Sequence, residues 1–483
     1  MSLDSIQLDR AIGAVVASAA GDALGSQYEF GPQHPDTMVP QFGEGVFGHA
    51  AGEWTDDTSM AIPLLDALAA GNDLGDSATQ SEIVARWIEW SRKAKDVGAQ
   101  TRSVFTGIRG DVTADAALRA SRTRHEQHGR SAGNGSLMRT GPVALGYLTR
   151  PPAELVGAAG AIARLTHWED DNADACALWC LTIRHAILTG ELDVRAQLVH
   201  LAAPRRDRWA ALVDESLMPG AHPRDFSAQN GWVVRAFQAA LTAVAGATSL
   251  VDAVERAIRG GNDTDTVAAI AGALAGAVWG GSAVPLDWQR RLHGWPGYRA
   301  SDLVRQAALA TRNGASDAEG WPTAARQPTY PRSDFLARHP HDDGVWIGSL
   351  AALDRLPAEV DAVVSLCRVG TAQVPAHCEG VQVWLIDQPG RNPNLDIVLA
   401  EAADAVAALR AEGKRVFLHC AEGRSRTAAV AALYGGKHRG AELPQAWDDI
   451  RAALTGFAPQ AFLQSAVERL VSSAQPRSGI VRG

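Results

Sequence analysis

Apolar residues recur at helical spacing from residue 8 to about residue 312. These segments are rich in alanine, leucine and valine, loops with glycine, aspartate and proline separate them, and few runs alternate in the manner of strands. The pattern predicts an all-α helical bundle over residues 1–312. Its clearest helices are predicted at residues 8–23, 57–70, 81–94, 152–165, 173–189, 231–245 and 265–279.

The helical periodicity stops between residues 313 and 338, where Gly314, Pro322, Pro328 and Pro331 interrupt a polar stretch. Such a composition is typical of a linker. Beyond it, short apolar segments alternate with helical ones, which predicts an α/β domain with a mainly parallel sheet over residues 339–475. The strands are predicted at residues 345–347, 362–366, 381–386 and 416–419, helices fill residues 427–470, and residues 476–483 form a frayed tail.

Composition limits the classes of protein that this chain can belong to. A length of 483 residues exceeds what one core supports, and 46% hydrophobic with 20% charged residues is typical of folded globular domains. The net charge of -9 argues against nucleic acid as the default partner. The five cysteines have no paired spacing, which suggests a reducing compartment. No signal-peptide pattern is seen and the apolar runs are too short for a bilayer, so we expect a cytoplasmic protein without a membrane partner.

A candidate phosphate-binding loop lies between the predicted strand 416–419 and the helix after it. Cys420 ends the strand and Arg426 opens the helix, so the chain between them turns tightly and points backbone N–H groups at one place. This field stabilises a thiolate at Cys420, which makes it a nucleophile, and the Arg426 fork holds two phosphate oxygens. The loop residues predicted to surround phosphate are Ala421, Glu422, Gly423, Arg424, Ser425, Arg426 and Thr427.

A phosphate ester also needs an acid for its leaving oxygen, and Asp387 follows the predicted strand 381–386. With Cys420, Arg426, residues 346–350 and residues 365–367 in this order, the region resembles the dual-specificity branch of the protein tyrosine phosphatases. The resemblance implies that Asp387 is the general acid, that the substrate is phosphorylated and that no cofactor is needed. Glu422 replaces a small residue of the family, so we expect it to disfavour highly anionic substrates.

Two acidic loops stand ahead of apolar helices in the first half of the chain. The first is residues 54–58, Trp-Thr-Asp-Asp-Thr, and the second is residues 260–266, Gly-Gly-Asn-Asp-Thr-Asp-Thr. Asp and Thr are good helix caps, so capping alone is one interpretation. Capping needs one such residue, however, whereas each loop has two carboxylates and two hydroxyls, which is the ligand set of hard divalent cations. The pattern leaves both interpretations open.

A third feature is the glycine-rich turn 133–139, which is suited to close approach by a phosphate or ribose. Together with the acidic loops, residues 21–25 and residues 166–167, it resembles the ADP-ribosylglycohydrolase family over about residues 8–310. The resemblance implies two Mg²⁺ or Mn²⁺ ions, with Glu29 near them in substrate binding or catalysis. It further implies metal ligands at Thr55, Asp56, Asp57, Asp263, Asp265 and Thr266, and ADP-ribose contacts at Gly133, Asn134, Gly135, Ser136, Met138 and His167.

The two halves together predict a bifunctional hydrolase that cleaves an ADP-ribosyl linkage and a phosphate monoester. Its expected partners are an ADP-ribosylated protein or small ADP-ribose derivative, and a phosphorylated substrate. One alternative is that one half is a binding module without chemistry. Another is that the Cys420 loop handles sulfur or redox chemistry. The type of glycosidic linkage and the phosphatase substrate class do not follow from the sequence.

Overall fold

The computed structural model describes residues 3–330 and 334–474, so the predicted tail 476–483 lies outside the described residues. The chain divides into two compact units. The first is Met1–Val284 with Trp288–Ala315, and the second is Pro285–Asp287 with Ser316–Gly483. The fold class is confirmed, since helices dominate the first unit and a sheet with helices forms the second.

Fourteen α-helices precede residue 316 in the described residues, and the seven predicted helices are among them, within a few residues at each end. A hairpin of two-residue strands, β1 His293–Gly294 and β2 Tyr298–Arg299, is the minor β element here. The helices are α1 Ser5–Gly25, α2 Asp56–Ala69, α3 Ser77–Ser91, α4 Ala99–Gly107, α5 Ala114–His128, α6 Val143–Gly146, α7 Pro152–Arg164, α8 Asp170–Thr189, α9 Ala203–Ser216, α10 Val233–Ala245, α11 Leu250–Arg259, α12 Thr264–Trp279, α13 Leu286–Arg291 and α14 Ala300–Ala310.

Helices α1 and α12 pack backbone against backbone in the centre of the first unit. Glycines line the contact, and a Cβ at Gly25 would lie 2.6 Å from the Asp265 Cα, closer than real Cβ contacts. Both helices are almost entirely buried, and the Ser18 hydroxyl of α1 donates to the Ala269 carbonyl of α12 at 2.9 Å. This close approach brings the end of α1 to the start of α12, where the second acidic loop lies.

The second unit is built on a five-stranded sheet of order β3-β4-β7-β5-β6. Strands β4, β7, β5 and β6 are parallel, and β3 is antiparallel to β4. The strands are β3 Leu336–His339, β4 Asp342–Ser349, β5 Ala362–Ser365, β6 Glu379–Gln382 and β7 Val416–Cys420. The helices are α15 Leu395–Ala411, α16 Arg426–Arg439, α17 Leu443–Ala453 and α18 Ala461–Ala474.

The strand predicted at residues 381–386 is displaced, because β6 ends at Gln382. Val383 and Leu385 are still buried, and the Val383 N–H donates to the Ser365 carbonyl of β5 at 2.9 Å, so backbone pairing continues one residue past β6. After that residue, side chains take the backbone groups: Asn392 bonds the N–H and carbonyl of Ile386, and Arg426 donates to the carbonyl of Leu385. An edge strand has no second neighbour, so it can end early.

The polar stretch 313–338 carries structure in its described residues. Ser316 and the residues after it belong to the second unit, and Leu336–His339 form β3. Trp321 is buried, and Asp317 accepts from Arg368 at 2.7 Å. Within residues 3–330 and 334–474, no helix is long and apolar enough to cross a membrane.

Candidate active sites

Carboxylates from three helices converge in the first unit. Oxygens of Asp22, Asp57 and Asp265 lie within 4.8 Å of one another, and Glu29, Asp263 and Asp265 form a second such group. Asp22 lies near the end of α1, Asp57 in the first turn of α2 and Asp265 in the first turn of α12. The two acidic loops are therefore brought together across some two hundred residues of sequence, as a shared cation site requires.

Thr55, the residue before α2, sits among these oxygens. Its hydroxyl oxygen lies 2.8 Å from Asp22, 3.1 Å from Asp57 and 3.5 Å from Asp265. A hydroxyl has one hydrogen, so it can donate to only one of the three carboxylates. The Oδ1 atom of Asp57 is buried and has no hydrogen-bond partner among the described residues. The carboxylate oxygens around Thr55 therefore outnumber the hydrogens available to bond them. A divalent cation, which prefers oxygen ligands, fits this set of oxygens.

The electrostatics of the cluster agree with its geometry. Burial raises the pKa of Asp57 and of Asp265 well above the ordinary range, and neighbouring carboxylates raise both further. Asp56 is half-buried beside them, and burial followed by the charge of Asp96 raises its pKa in the same direction. Burial, and then Asp263 and Asp96, raises the pKa of Glu29 to about 8. Without a cation, these groups would hold protons that carboxylates normally lose.

The second acidic loop is joined to the glycine-rich turn. Asn134 Nδ2 donates to Asp263 Oδ2 at 2.7 Å, and the Thr266 N–H donates to Asp265 Oδ1 at 2.8 Å. Gly133, Asn134 and Gly135 are half-buried, so a ligand can reach them. A ligand held by this turn would thus lie next to the carboxylates.

Two residues of the turn are placed differently from its first three. The Ser136 side chain is fully buried and accepts a hydrogen bond from Asn172 at 2.8 Å, and Met138 is also buried. His167 is buried as well, but its ring lies against the turn: a Cβ at Gly133 would be 3.3 Å from His167 Nε2. The part of the predicted ADP-ribose site that a ligand can reach is therefore Gly133, Asn134 and Gly135, with the His167 ring directly against them.

In the second unit, Cys420 is buried at the end of β7 and Arg426 opens α16. Arg426 Nη1 donates to the carbonyls of Leu366 and Leu385 at 2.8 and 3.0 Å, which anchors one edge of the guanidinium. Its Nε is buried without a hydrogen-bond partner in the described part of the chain. The anchored guanidinium therefore keeps an N–H group that an anion in the loop could accept from.

Asp387 lies beside this loop. Its Oδ1 accepts from the Ser425 hydroxyl at 2.8 Å, and its Oδ2 is 3.7 Å from Arg426 Nε. The three residues predicted to carry the chemistry, Cys420, Arg426 and Asp387, therefore meet at one site. Ser425 is itself fixed, because its oxygen also accepts from the Gln460 N–H at 3.2 Å.

The remaining loop residues shape the turn and its rim. Gly423 has φ of 72°, and a Cβ there would lie 2.7 Å from the Gly348 carbonyl oxygen. Thr427 is buried and donates to that same oxygen at 3.3 Å, whereas the Ala421 carbonyl accepts from Leu350. Glu422 and Arg424 form an exposed ion pair at 3.4 Å. Glu422 thus lies on the rim of the loop.

Comparison with known proteins decides the family of the first unit. The family model described as ADP-ribosylglycohydrolase matches residues 3–318. This chain belongs to that family. The first unit is therefore an ADP-ribosylglycohydrolase domain, and the metal-binding interpretation of its acidic loops gains over capping alone.

The relatives of this ADP-ribosylglycohydrolase include two bacterial enzymes. An ADP-ribosylarginine hydrolase Tri1 of Pseudomonas putida is 31% identical and aligns over 59% of this chain and 74% of its own. An ADP-ribosyl-[dinitrogen reductase] glycohydrolase of Rhodospirillum rubrum is 30% identical over 59% of this chain and 90% of its own. Among solved structures, human DUSP28 overlaps 31% of this chain and 99% of its own, with 23% identity and a TM-score of 0.27.

Two carboxylates of the ADP-ribosylglycohydrolase site had no assigned role in the sequence-based prediction. Asp22 accepts from the backbone and hydroxyl of both Thr55 and Thr58, at 2.6 to 2.9 Å. Asp96 is half-buried, and burial followed by Asp22 and Asp263 raises its pKa to about 6. Asp22 had a detectable signal, a carboxylate inside an apolar helix, whereas Asp96 lies in an ordinary polar loop and had none.

Proposed function

We propose that the first unit removes ADP-ribose from arginine side chains by hydrolysing the N-glycosidic bond. Two Mg²⁺ or Mn²⁺ ions would be held by Thr55, Asp56, Asp57, Asp263, Asp265 and Thr266, with Asp22 behind them. The name of the Pseudomonas putida relative supports the arginine linkage. The buried, unpartnered oxygen of Asp57 supports the metal requirement.

The contact that carries this proposal is the 2.7 Å hydrogen bond from Asn134 to Asp263. It joins the turn suited to a diphosphate to the loop suited to cations, so a bound ADP-ribose would extend its distal ribose to the carboxylates. When bound, the ions would orient the ribose hydroxyls and polarise the attacking water. Water adds to the anomeric carbon, the bond to the arginine nitrogen breaks, and that nitrogen takes a proton.

Glu29 is the residue of this chain that we assign to proton transfer. It is half-buried and lies in the carboxylate group with Asp263 and Asp265, beside the place where the ions would hold the attacking water. A carboxylate in this position can take a proton from water and pass it to the leaving nitrogen.

The test is release of ADP-ribose from a peptide modified on arginine, with Mg²⁺ or Mn²⁺ titrated into the full-length protein. Asp57→Asn should abolish turnover and weaken metal binding by calorimetry, whereas Asp115→Asn, exposed in the first turn of α5, should change neither. Metal binding without release of ADP-ribose would favour the binding-module alternative. Release from a hydroxyl-linked peptide only would contradict the arginine linkage.

For the second unit, we infer hydrolysis of phosphate monoesters. The Cys420 thiolate attacks phosphorus, Asp387 protonates the departing oxygen, and water then cleaves the phosphocysteine. The support is the meeting of Asp387 with Ser425 at 2.8 Å and with Arg426 at 3.7 Å, directly beside the cysteine loop.

An aryl phosphate assay on the full-length protein tests this inference. Cys420→Ser should abolish phosphate release and leave ADP-ribose release unchanged. Cys378→Ser is the matched control, because that half-buried thiol bonds the Val360 carbonyl at 3.2 Å, and it should retain both activities. Unchanged phosphate release by Cys420→Ser, or a lack of inhibition by vanadate, would instead favour sulfur or redox chemistry at this loop.

A further inference from the structure

Arg139 ends the glycine-rich turn and is completely buried. Its guanidinium carbon lies 4.1 Å from the centre of the Trp87 ring, and its Nη2 donates to the Thr166 hydroxyl at 2.6 Å. No carboxylate forms an ion pair with it in the described residues, and burial lowers its pKa to about 9. Burying a cation without a paired carboxylate lowers the free energy of unfolding, so Arg139 is not explained by stability alone.

Thr166 links this cation to His167. The Thr166 hydroxyl oxygen lies 2.7 Å from His167 Nδ1, and it already accepts from Arg139. Its single hydrogen has one partner within reach among the described residues, which is Nδ1, and Thr166 is buried, so an idle hydrogen would be unsatisfied. The arrangement in which every group is satisfied has Thr166 donating to Nδ1, which places the ring hydrogen on Nε2.

The ring is neutral in this arrangement. Burial lowers the pKa of His167 well below its ordinary value, and the charges of Arg139 and of Arg124 in α5 lower it further. Nε2 faces the glycine-rich turn, since a Cβ at Gly133 or Gly135 would lie 3.3 Å from it. The hydrogen on Nε2 is therefore available to a ligand of the turn.

We propose that Arg139 is a positioning residue that acts through Thr166 to hold His167 as the neutral Nε2–H tautomer, which donates to the diphosphate of ADP-ribose. The identity of the ligand rests on the proposed function, whereas the relay itself rests on the contacts among the three side chains. A hydroxyl that accepts from a cation is a stronger donor, and a ring that accepts at Nδ1 is a stronger donor at Nε2.

The tautomer can be observed directly in the full-length protein with nitrogen-15 labelled histidine rings, with His167 assigned through a His167→Gln variant. Wild type and Thr166→Ser should show a protonated Nε2 and a bare Nδ1 throughout the neutral pH range. Thr166→Val, which keeps the shape and the Arg139 charge but removes the hydroxyl, should show a mixture of tautomers. Arg139→Gln should shift the His167 titration to higher pH, because one of its two neighbouring cations is gone.

Calorimetry with ADP-ribose, the probe for the ligand, gives a second readout. Thr166→Val should bind about tenfold more weakly than wild type, and Thr166→Ser should restore the affinity. A wild-type ring protonated on Nδ1, or tautomers and titration unchanged in both Thr166→Val and Arg139→Gln, would overturn the relay. If neither wild type nor any variant binds ADP-ribose although the tautomers are as expected, the proposed function is overturned. The relay from Arg139 through Thr166 to His167 would still stand in that case.

Discussion

Asp22 and Thr58 are joined twice, since Asp22 Oδ2 accepts from the Thr58 N–H at 2.9 Å and from its hydroxyl at 2.6 Å. The other oxygen accepts from Thr55 in the same way. A side chain of α1 therefore caps the first turn of α2, which is the turn that carries Asp57. The cap holds in place the turn that we propose binds metal, and it buries a charge that the ions would offset.

We predict that Asp22→Asn lowers the free energy of unfolding by about 2–4 kcal/mol and weakens metal binding. An amide has one accepting oxygen, and its NH₂ group would face the N–H and hydroxyl of Thr55 or of Thr58, which are themselves donors. Chemical denaturation and metal calorimetry measure the two effects. The matched control is Asp4→Asn, which caps α1 through the N–H groups of Ile6 and Gln7. Asparagine caps as well as aspartate does, so this variant should stay within about 0.5 kcal/mol of wild type.

Gly25 allows the contact of α1 with α12, and its replacement should disturb the carboxylate cluster by displacing the backbone of Asp265. A Cβ at this position would lie 2.6 Å from the Asp265 Cα. Gly25→Ala should destabilise the first unit by about 1–3 kcal/mol and reduce metal affinity. Gly157→Ala in α7 meets nothing within 4 Å and should instead stabilise by about 0.5–1 kcal/mol. Equal effects of the two alanines would show that close packing is not what Gly25 provides.

Glu29 gives a pH dependence to the metal-free protein. Its pKa rises from 4.5 to about 8 on folding, so the folded state binds the extra proton between these values. The stability that this proton contributes is complete below about pH 4.5 and is lost as the pH rises through about 8. In the presence of a chelator, Glu29→Gln should therefore match wild type near pH 5 and melt several degrees higher near pH 8.5.

Calorimetric melting of both proteins at the two pH values measures this difference. Glu126→Gln, which replaces an exposed carboxylate on α5, is the control and should differ little from wild type at either pH. Saturating Mg²⁺ should remove most of the difference seen with Glu29→Gln, because the cation offsets the neighbouring charges. A Glu29→Gln variant that loses stability relative to wild type as the pH rises would show that folding does not raise the pKa of Glu29.

Asp387 should matter most for substrates whose leaving oxygen is basic. We predict that Asp387→Asn lowers kcat about 10²- to 10⁴-fold for an alkyl phosphate, and much less for an aryl phosphate with an acidic phenol. Asp448→Asn, an exposed partner of Arg451 on α17, should leave kcat unchanged for both. An equal loss for the two leaving groups would assign Asp387 to the structure of the loop, through its bond to Ser425, rather than to proton transfer.

Much of the candidate chemistry could be predicted from local sequence. Cys420 and Arg426 are separated by one tight connection between a strand and a helix, so their proximity follows from chain geometry alone. Asp57 and Asp265 stand in the first turns of helices that their own apolar periodicity predicts. These features depend on residues within a few positions of each other, and periodicity and turn chemistry describe that range well.

Other features depend on neighbours that are distant in sequence. Past Val383, which still bonds the β5 backbone, Asn392 and Arg426 bond the backbone of residues 385 and 386, and β3 pairs with β4. The pattern of apolar and polar residues predicts which residues are buried. It does not predict which groups will bond the backbone N–H and carbonyl groups of the segment. Strand ends were accordingly the less accurate part of the prediction.

The sequence by itself determined the two fold classes and the family of the first unit, and it pointed to most of the candidate residues of both sites, though not to Asp22 or Asp96. Only the tertiary structure decided that Asp22 caps α2 from another helix, that Asn134 bonds Asp263, and that Arg139 reaches His167 through Thr166. The reason is physical. Periodicity arises from each segment's need to bury its own apolar face, whereas a hydrogen bond between segments depends on where the packed helices place both of its ends.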